Sequence, residues 1–266
     1  MADSRAVADV GRHARLELTF GYRGDRTVLL QSYAEPPYRV GQMLPDGNGV
    51  HLILASSAPG VFGGDCLTQT IVVQSGARVR ITSQSAMQVH PNDTGELATL
   101  ASAYCVEDGG YLACEWDPLI PFAGARLEQR IAIDLSEGAS LFWSDALMAG
   151  REARGERWRF SELAHELRLV RDGTLAYMER YDIALDADAP ENRWMADDAC
   201  YFGTVLTVGA AATREAAERT HRELAAIADV RASADLLEKN VLLARLVSRS
   251  GTSFRQARAS TRTLSN

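Results

Sequence analysis

Lysine is almost absent from this 266-residue chain: Lys239 is the single one, and every other basic residue is arginine. Cysteine is scarce too, with Cys66, Cys105, Cys114 and Cys200 and no Cys-x-x-Cys pair, which argues against a zinc knuckle or a thioredoxin-like motif. Five histidines (His13, His51, His90, His165 and His221) are scattered and never stand at metal-ligand spacing, so they read as surface or core residues rather than permanent ligands. No stretch approaches the roughly 20 apolar residues that span a bilayer. Met1 to Glu17 contains no apolar run of the kind a secretory leader carries. A cytoplasmic protein with reduced thiols is expected. Positive charge is also in deficit, at a formal −7, which argues against nucleic acid as a partner. Missing as well are a Gly-x-Ser-x-Gly elbow, a phosphate loop ending Gly-Lys-Ser/Thr and a Gly-x-Gly-x-x-Gly turn, so no common catalytic signature is present.

What the chain does contain is a recurring unit: a turn with glycine, then a short strand whose apolar residues alternate. Ser75-Gly76-Ala77-Arg78 leads into Val79 and Ile81. Ala123-Gly124-Ala125-Arg126 leads into Leu127, Ile131 and Ile133, with Gln129 breaking the row. Glu137-Gly138 leads into Leu141 and Trp143, and Asp172-Gly173 into Leu175 and Tyr177. Alternation with period two after a turn predicts strands with one buried face. The intervals are too irregular for a strict repeat, so the pattern predicts a stacked, mainly β body. Cys105 and Cys114 flank Asp108-Gly109-Gly110 and are placed to face each other across a hairpin.

Two later segments differ. Residues 211–229, rich in Ala, Glu and Arg and free of Gly and Pro, favour a helix. Residues 234–248 read as a hairpin turning at Glu238-Lys239-Asn240, although periodicity also allows a helix there. The tail from Gly251 is open to one short helix or to fraying. No composition shift marks a boundary, so one domain over residues 1–266 is expected.

Three acidic positions invite attention. Asp65 follows Pro59-Gly60-Val61-Phe62-Gly63-Gly64, and its plain reading is a turn aspartate bonding its own backbone. Asp145 stands just past the large apolar groups Phe142-Trp143 and either meets solvent or lines an internal passage. Glu179 precedes Arg180, and the plain reading is a weak ion pair on a strand surface. Carboxylates suit transient binding of a divalent metal, because they hold it less tightly than a His or Cys cluster does. Pro118 and Pro121 in Asp117-Pro118-Leu119-Ile120-Pro121-Phe122 disfavour regular central-strand pairing and predict a stiff apolar corner.

In order along the chain stand Pro59-Gly60, Gly63-Gly64-Asp65, Thr82-Ser83-Gln84-Ser85-Ala86, and Pro118-Leu119-Ile120-Pro121-Phe122-Ala123-Gly124-Ala125. Asp145, Ala149-Gly150-Arg151, Gly155-Glu156 and Glu179-Arg180 follow. This succession resembles the urease accessory protein D family (also called H) over roughly residues 15 to 250. The resemblance implies an irregular right-handed β-helix-like stack with a small C-terminal helical portion. It implies a non-enzymatic scaffold that binds the F accessory protein, through it the GTPase G, and apo-urease, with transient Ni2+ and no permanent cofactor. By position, Asp65, Asp145 and Glu179 match acids the family is thought to place along a nickel route, with Ser83 and Ser85 in a polar stretch beside it. The chain departs from the family at Met87-Gln88-Val89-His90, where a lysine and an aromatic are common, and at Phe142-Trp143, where some members carry another acid. Two other expectations stay open: a diverged scaffold for another metalloenzyme, and a β-helical carbohydrate-active enzyme using Asp145 and Glu179, which would need them roughly 5–10 Å apart.

Overall fold

The computed structural model describes residues 11–91, 94–185 and 198–263. Two hairpins open it, β1 (His13–Arg23) with β2 (Arg26–Ala34) and β3 (Tyr38–Asp46) with β4 (Gly49–Ser56). The chain then coils through β5 (Val61–Phe62), β6 (Cys66–Val73), β7 (Arg78–Ser83), β8 (Met87–His90) and β9 (Ala98–Val106). It continues with β10 (Tyr111–Glu115), β11 (Leu119–Pro121), β12 (Arg126–Leu135) and β13 (Ser140–Met148). A second antiparallel pair, β14 (Glu162–Arg171) and β15 (Thr174–Ala184), precedes β16 (Tyr201–Val208). Helix α1 (Arg214–Ala225), strands β17 (Val230–Leu237) and β18 (Val241–Ser248), and helix α2 (Gly251–Thr263) complete the described order.

The strands stack as a solenoid with three walls. One sheet runs β15-β14-β12-β9-β6-β1-β2, parallel from β14 to β1 and antiparallel at both edges. The other follows β17-β18-β16-β13-β10-β7-β4-β3, parallel from β13 to β4. A short third ladder joins β5, β8, β11 and the end of β13. A parallel neighbour therefore arrives one full coil later in the chain, as in other solenoids. Register stacks like residues: Val50 beside Val79, Val79 beside Leu112, and Leu112 beside Leu141. Ile71, Tyr104 and Ile133 face this row from the opposite wall, and the core lies between the two sheets.

The glycine turns connect walls, and this overturns the hairpin expected around Asp108-Gly109-Gly110. Strands β9 and β10 belong to different sheets, so Cys105 faces solvent while Cys114 is buried in the core. The helix expected over 211–229 is shorter. Thr213 caps it, its hydroxyl accepting from the Ala216 N–H at 3.1 Å, and the chain leaves helical geometry before Asp229, whose φ is +62°. The hairpin expected from residue 234 begins at Val230. The tail is helical through Thr263.

Strand β13 breaks simple alternation, because Leu141, Phe142, Trp143 and Ser144 are all buried. Both of its faces are covered. Trp143 points into the core, whereas Phe142 packs in an outer cluster with Val205, Leu246, Leu224 of α1 and Phe254 of α2. The helices thus roof the outer face of β13, β16 and β18. The two-proline corner also pairs more than expected: β11 sits between β8 and β13. Its ladder to β8 uses groups beside the prolines, the Pro118 carbonyl accepting from Met87 N–H and the Phe122 N–H donating to Val89.

Candidate functional site

Polar residues interrupt the inward rows of the first wall at consecutive coils. Gln69 on β6 pairs in register with Ser102, Gln129 on β12 with His165 on β14, and His165 with Tyr181 on β15. Side chains at these positions replace the aliphatic groups that would fill the solenoid, and a cavity of about 820 Å³ results. Its walls are bonded to themselves. Gln69 donates to the Tyr104 hydroxyl at 2.6 Å, and His165 Nδ1 lies 2.9 Å from Gln129 Oε1 with its ring stacked on Tyr181.

Ser83, Ser85, Asp145 and Glu179 all line this cavity. Asp145 accepts from the indole N–H of Trp143 at 3.0 Å and has no cation in ion-pair contact among the described residues. Removal from water pushes its carboxyl above the ordinary range, against the opposing pull of His165 and the Trp143 bond. Glu179 does not pair with Arg180. Adjacent residues on a strand point to opposite faces, so Glu179 turns inward to Arg245 on β18, at 2.6 Å, while Arg180 lies 4.0 Å from Glu166. Ser83 faces Asp117, donating at 3.1 Å and accepting from the Asp117 N–H at 2.8 Å. Among the described residues no three His, Cys, Asp or Glu side chains gather as a metal cluster.

Asp65 has a different setting. It is 2% exposed and is not part of the cavity lining. It accepts from the backbone N–H of Phe62 at 2.8 Å, as its turn reading required, and also from the Arg12 N–H at 2.9 Å and the Arg12 guanidinium. Burial alone would raise this carboxyl, but Arg12 and the two amides outweigh it and hold the group below the usual range. Behind it the Gly64 backbone packs on Gly11, where a Cβ would stand 1.8 Å from the Gly64 carbonyl oxygen. Gly64 thus serves a close backbone crossing with Gly11 that pins the start of β1 near β6.

The remaining motif residues build a clamp beside the cavity. Gly150 has φ +123°, and a Cβ there would meet the Glu156 carbonyl oxygen at 2.2 Å. Arg151 pairs with Glu156 and lies 3.8 Å over the Phe122 ring. Glu156 also accepts from the Ala123 N–H, and the Gly124 N–H donates to Arg159. Residues 118–124 are thereby tied to residues 150–159. His90 stacks on Phe62 and meets Phe122 edge-on, each at 4.5 Å. The partners Arg12, Arg245 and His165 were not singled out in the sequence, although Gln129 breaking its row was a visible sign of a polar interior.

The family model described as UreD urease accessory protein matches residues 12–265. The chain belongs to the UreD urease accessory protein family. Urease accessory protein UreD of Opitutus terrae is 31% identical over 226 residues, covering 81% of each chain. The UreD of Ralstonia nicotianae is 33% identical over 248 residues, 89% of this chain and 82% of the relative. With the UreD of Sorangium cellulosum the identity is 34% over 169 residues, 64% of this chain and about half of that relative, at 54%. Family membership supports a role in urease maturation. Among the described residues no helix is long and apolar enough to cross a membrane.

Proposed function

We propose that the protein is a non-catalytic, cytoplasmic scaffold of urease maturation that passes Ni2+ through its interior cavity to apo-urease. It docks there together with the F accessory protein and, through F, the GTPase G. The observation that carries the nickel route is the cavity itself, where Asp145 and Glu179 stand as separate carboxylates with Ser83 and Ser85 on the same lining. Single carboxylates bind a divalent cation weakly enough to release it, which a carrier requires and a storage site does not. Asp65 enters the proposal as a structural pin, because Arg12 and two amides already occupy its oxygens.

Complementation tests the role. A urease-positive strain lacking its own D protein, supplied with the cognate urease operon, should regain activity and nickel content when this chain is expressed. The double variant Asp145→Ala, Glu179→Ala should stay folded and lower nickel incorporation, and normal nickel content would remove the route. One observation favours a second reading, a scaffold for another metalloenzyme: Met87, at the start of the divergent stretch, is 40% exposed on the cavity lining. Co-purification separates the two, since a urease-specific scaffold brings down F or urease subunits.

A further inference from the structure

Glu179 is not open to a ligand as it stands. Its Oε1 accepts from Arg245 Nη1 at 2.6 Å, while Oε2 accepts from the Tyr177 hydroxyl at 3.1 Å and the Thr204 hydroxyl at 3.0 Å. Arg245 is held in turn, with Nη1 3.1 Å from Thr204 Oγ1 and Nη2 donating to the Tyr177 hydroxyl at 2.9 Å. Exposure is unequal across the pair: the Arg245 side chain is 47% exposed and that of Glu179 only 9%. Both line the cavity. The more exposed guanidinium therefore covers the less exposed carboxylate on the cavity lining, whereas Asp145 has no cation in ion-pair contact among the described residues.

We propose that Arg245 is a resident counter-cation that gates the cavity, occupying Glu179 until a divalent cation displaces it into solvent. The inference rests on the cavity being the ion's path. A guanidinium and a metal ion compete for the same carboxylate oxygens, and a paired carboxylate presents little net field to an approaching charge. Water reaches the Arg245 side of the pair and screens it, so the seat can be vacated. Leaving it costs Arg245 no burial of charge, since its exposed side already meets water. A divalent ion gains twice the attraction a monovalent ion gains at the same distance, so the gate discriminates by charge as well as excluding casual entry. The planar fork matters, because it reaches Glu179, Thr204 and Tyr177 together, which a lysine ammonium on a flexible stem does not reproduce.

Ni2+ binding to the purified full-length protein tests the gate, by isothermal titration calorimetry with circular dichroism to confirm folding. If Arg245 holds its seat about nine-tenths of the time, apparent affinity is lowered about tenfold. Arg245→Met is therefore expected to tighten Ni2+ binding about tenfold. Arg245→Lys should fall between wild type and Arg245→Met, and adding Glu179→Gln to Arg245→Met should cancel the gain. Unchanged or weaker binding by folded Arg245→Met overturns the gate, as does undetectable binding by both wild type and variant, because removing the counter-cation then opens nothing. Should Arg245→Met fail to fold, Arg245→Gln carries the comparison. The route fails separately if Asp145→Asn and Glu179→Gln both leave Ni2+ binding unchanged, whatever Arg245 does.

Discussion

Replacing Asp65 with alanine separates a structural pin from an ion ligand. In the native protein the carboxylate is 2% exposed and satisfies the backbone N–H groups of Phe62 and Arg12 besides the Arg12 guanidinium. Alanine leaves two part-buried amides without their acceptor, at about 1–2 kcal/mol each. The ion-pair share is smaller. Arg12 is 35% exposed and keeps the Gly60 carbonyl at 3.0 Å, so its loss is discounted to about 1 kcal/mol. A total near 4 kcal/mol is a large part of the roughly 5–15 kcal/mol that stabilises a domain. At about 2–4 °C per kcal/mol, the melting temperature should fall by roughly 10 °C at pH 7. The pH dependence has a definite sign. The folded-state carboxyl is held below its unfolded value, so its contribution is present above the ordinary carboxylate range and is lost as pH falls through the folded value. Thermal denaturation followed by circular dichroism at pH 7 and pH 3 should show the gap between wild type and variant closing in acid. An Asp65→Ala protein melting within about 2 °C of wild type at pH 7, yet failing to deliver nickel, would refute the pin.

Three further outcomes follow from the same geometry. Asp145 has a raised folded-state pKa, so its contribution to stability declines as pH rises from the unfolded carboxylate value through the folded one. Asp145→Asn, which keeps an acceptor for Trp143, should match wild type in acid and melt higher at pH 7; a lower melt at neutral pH contradicts the reasoning. Phe254 is 2% exposed and anchors α2, so Phe254→Ala should cost about 3–5 kcal/mol and open the tail to limited proteolysis. An unchanged urea midpoint and cleavage pattern would place the anchor elsewhere. Gly150→Ala forces a Cβ against the Glu156 carbonyl at a φ of +123° and should cost at least about 1–3 kcal/mol, lowering the urea midpoint. Wild-type stability in that variant would mean that the clamp tolerates a side chain.

Strands β7, β12 and β13 were legible because each has a glycine turn before it and an apolar row within it. So was α1, whose composition and threonine cap are local properties. The Cys105–Cys114 hairpin was misjudged for a physical reason. A glycine turn permits either an antiparallel return or a step to a second sheet, and only the packing of other coils chooses between them. Likewise the two prolines argued against a central strand, yet β11 pairs on both sides through carbonyls and amides that proline leaves available.

The amino-acid order by itself determined a mainly β body, the place of its first helix and the membership of a family, since turn chemistry, periodicity and short motifs are written locally. It also placed carboxylates at Asp65, Asp145 and Glu179 without distinguishing them. Only the tertiary structure gives each its surroundings, because those depend on groups from far along the chain. Asp65 meets Arg12 across 53 residues and becomes a pin; Glu179 meets Arg245 across 66 and is occupied. Asp145 has no cation in ion-pair contact among the described residues and faces the cavity. Charge, exposure and available lone pairs are set by what packs against a side chain, and in a solenoid those neighbours come from other coils and from the strands that close its end.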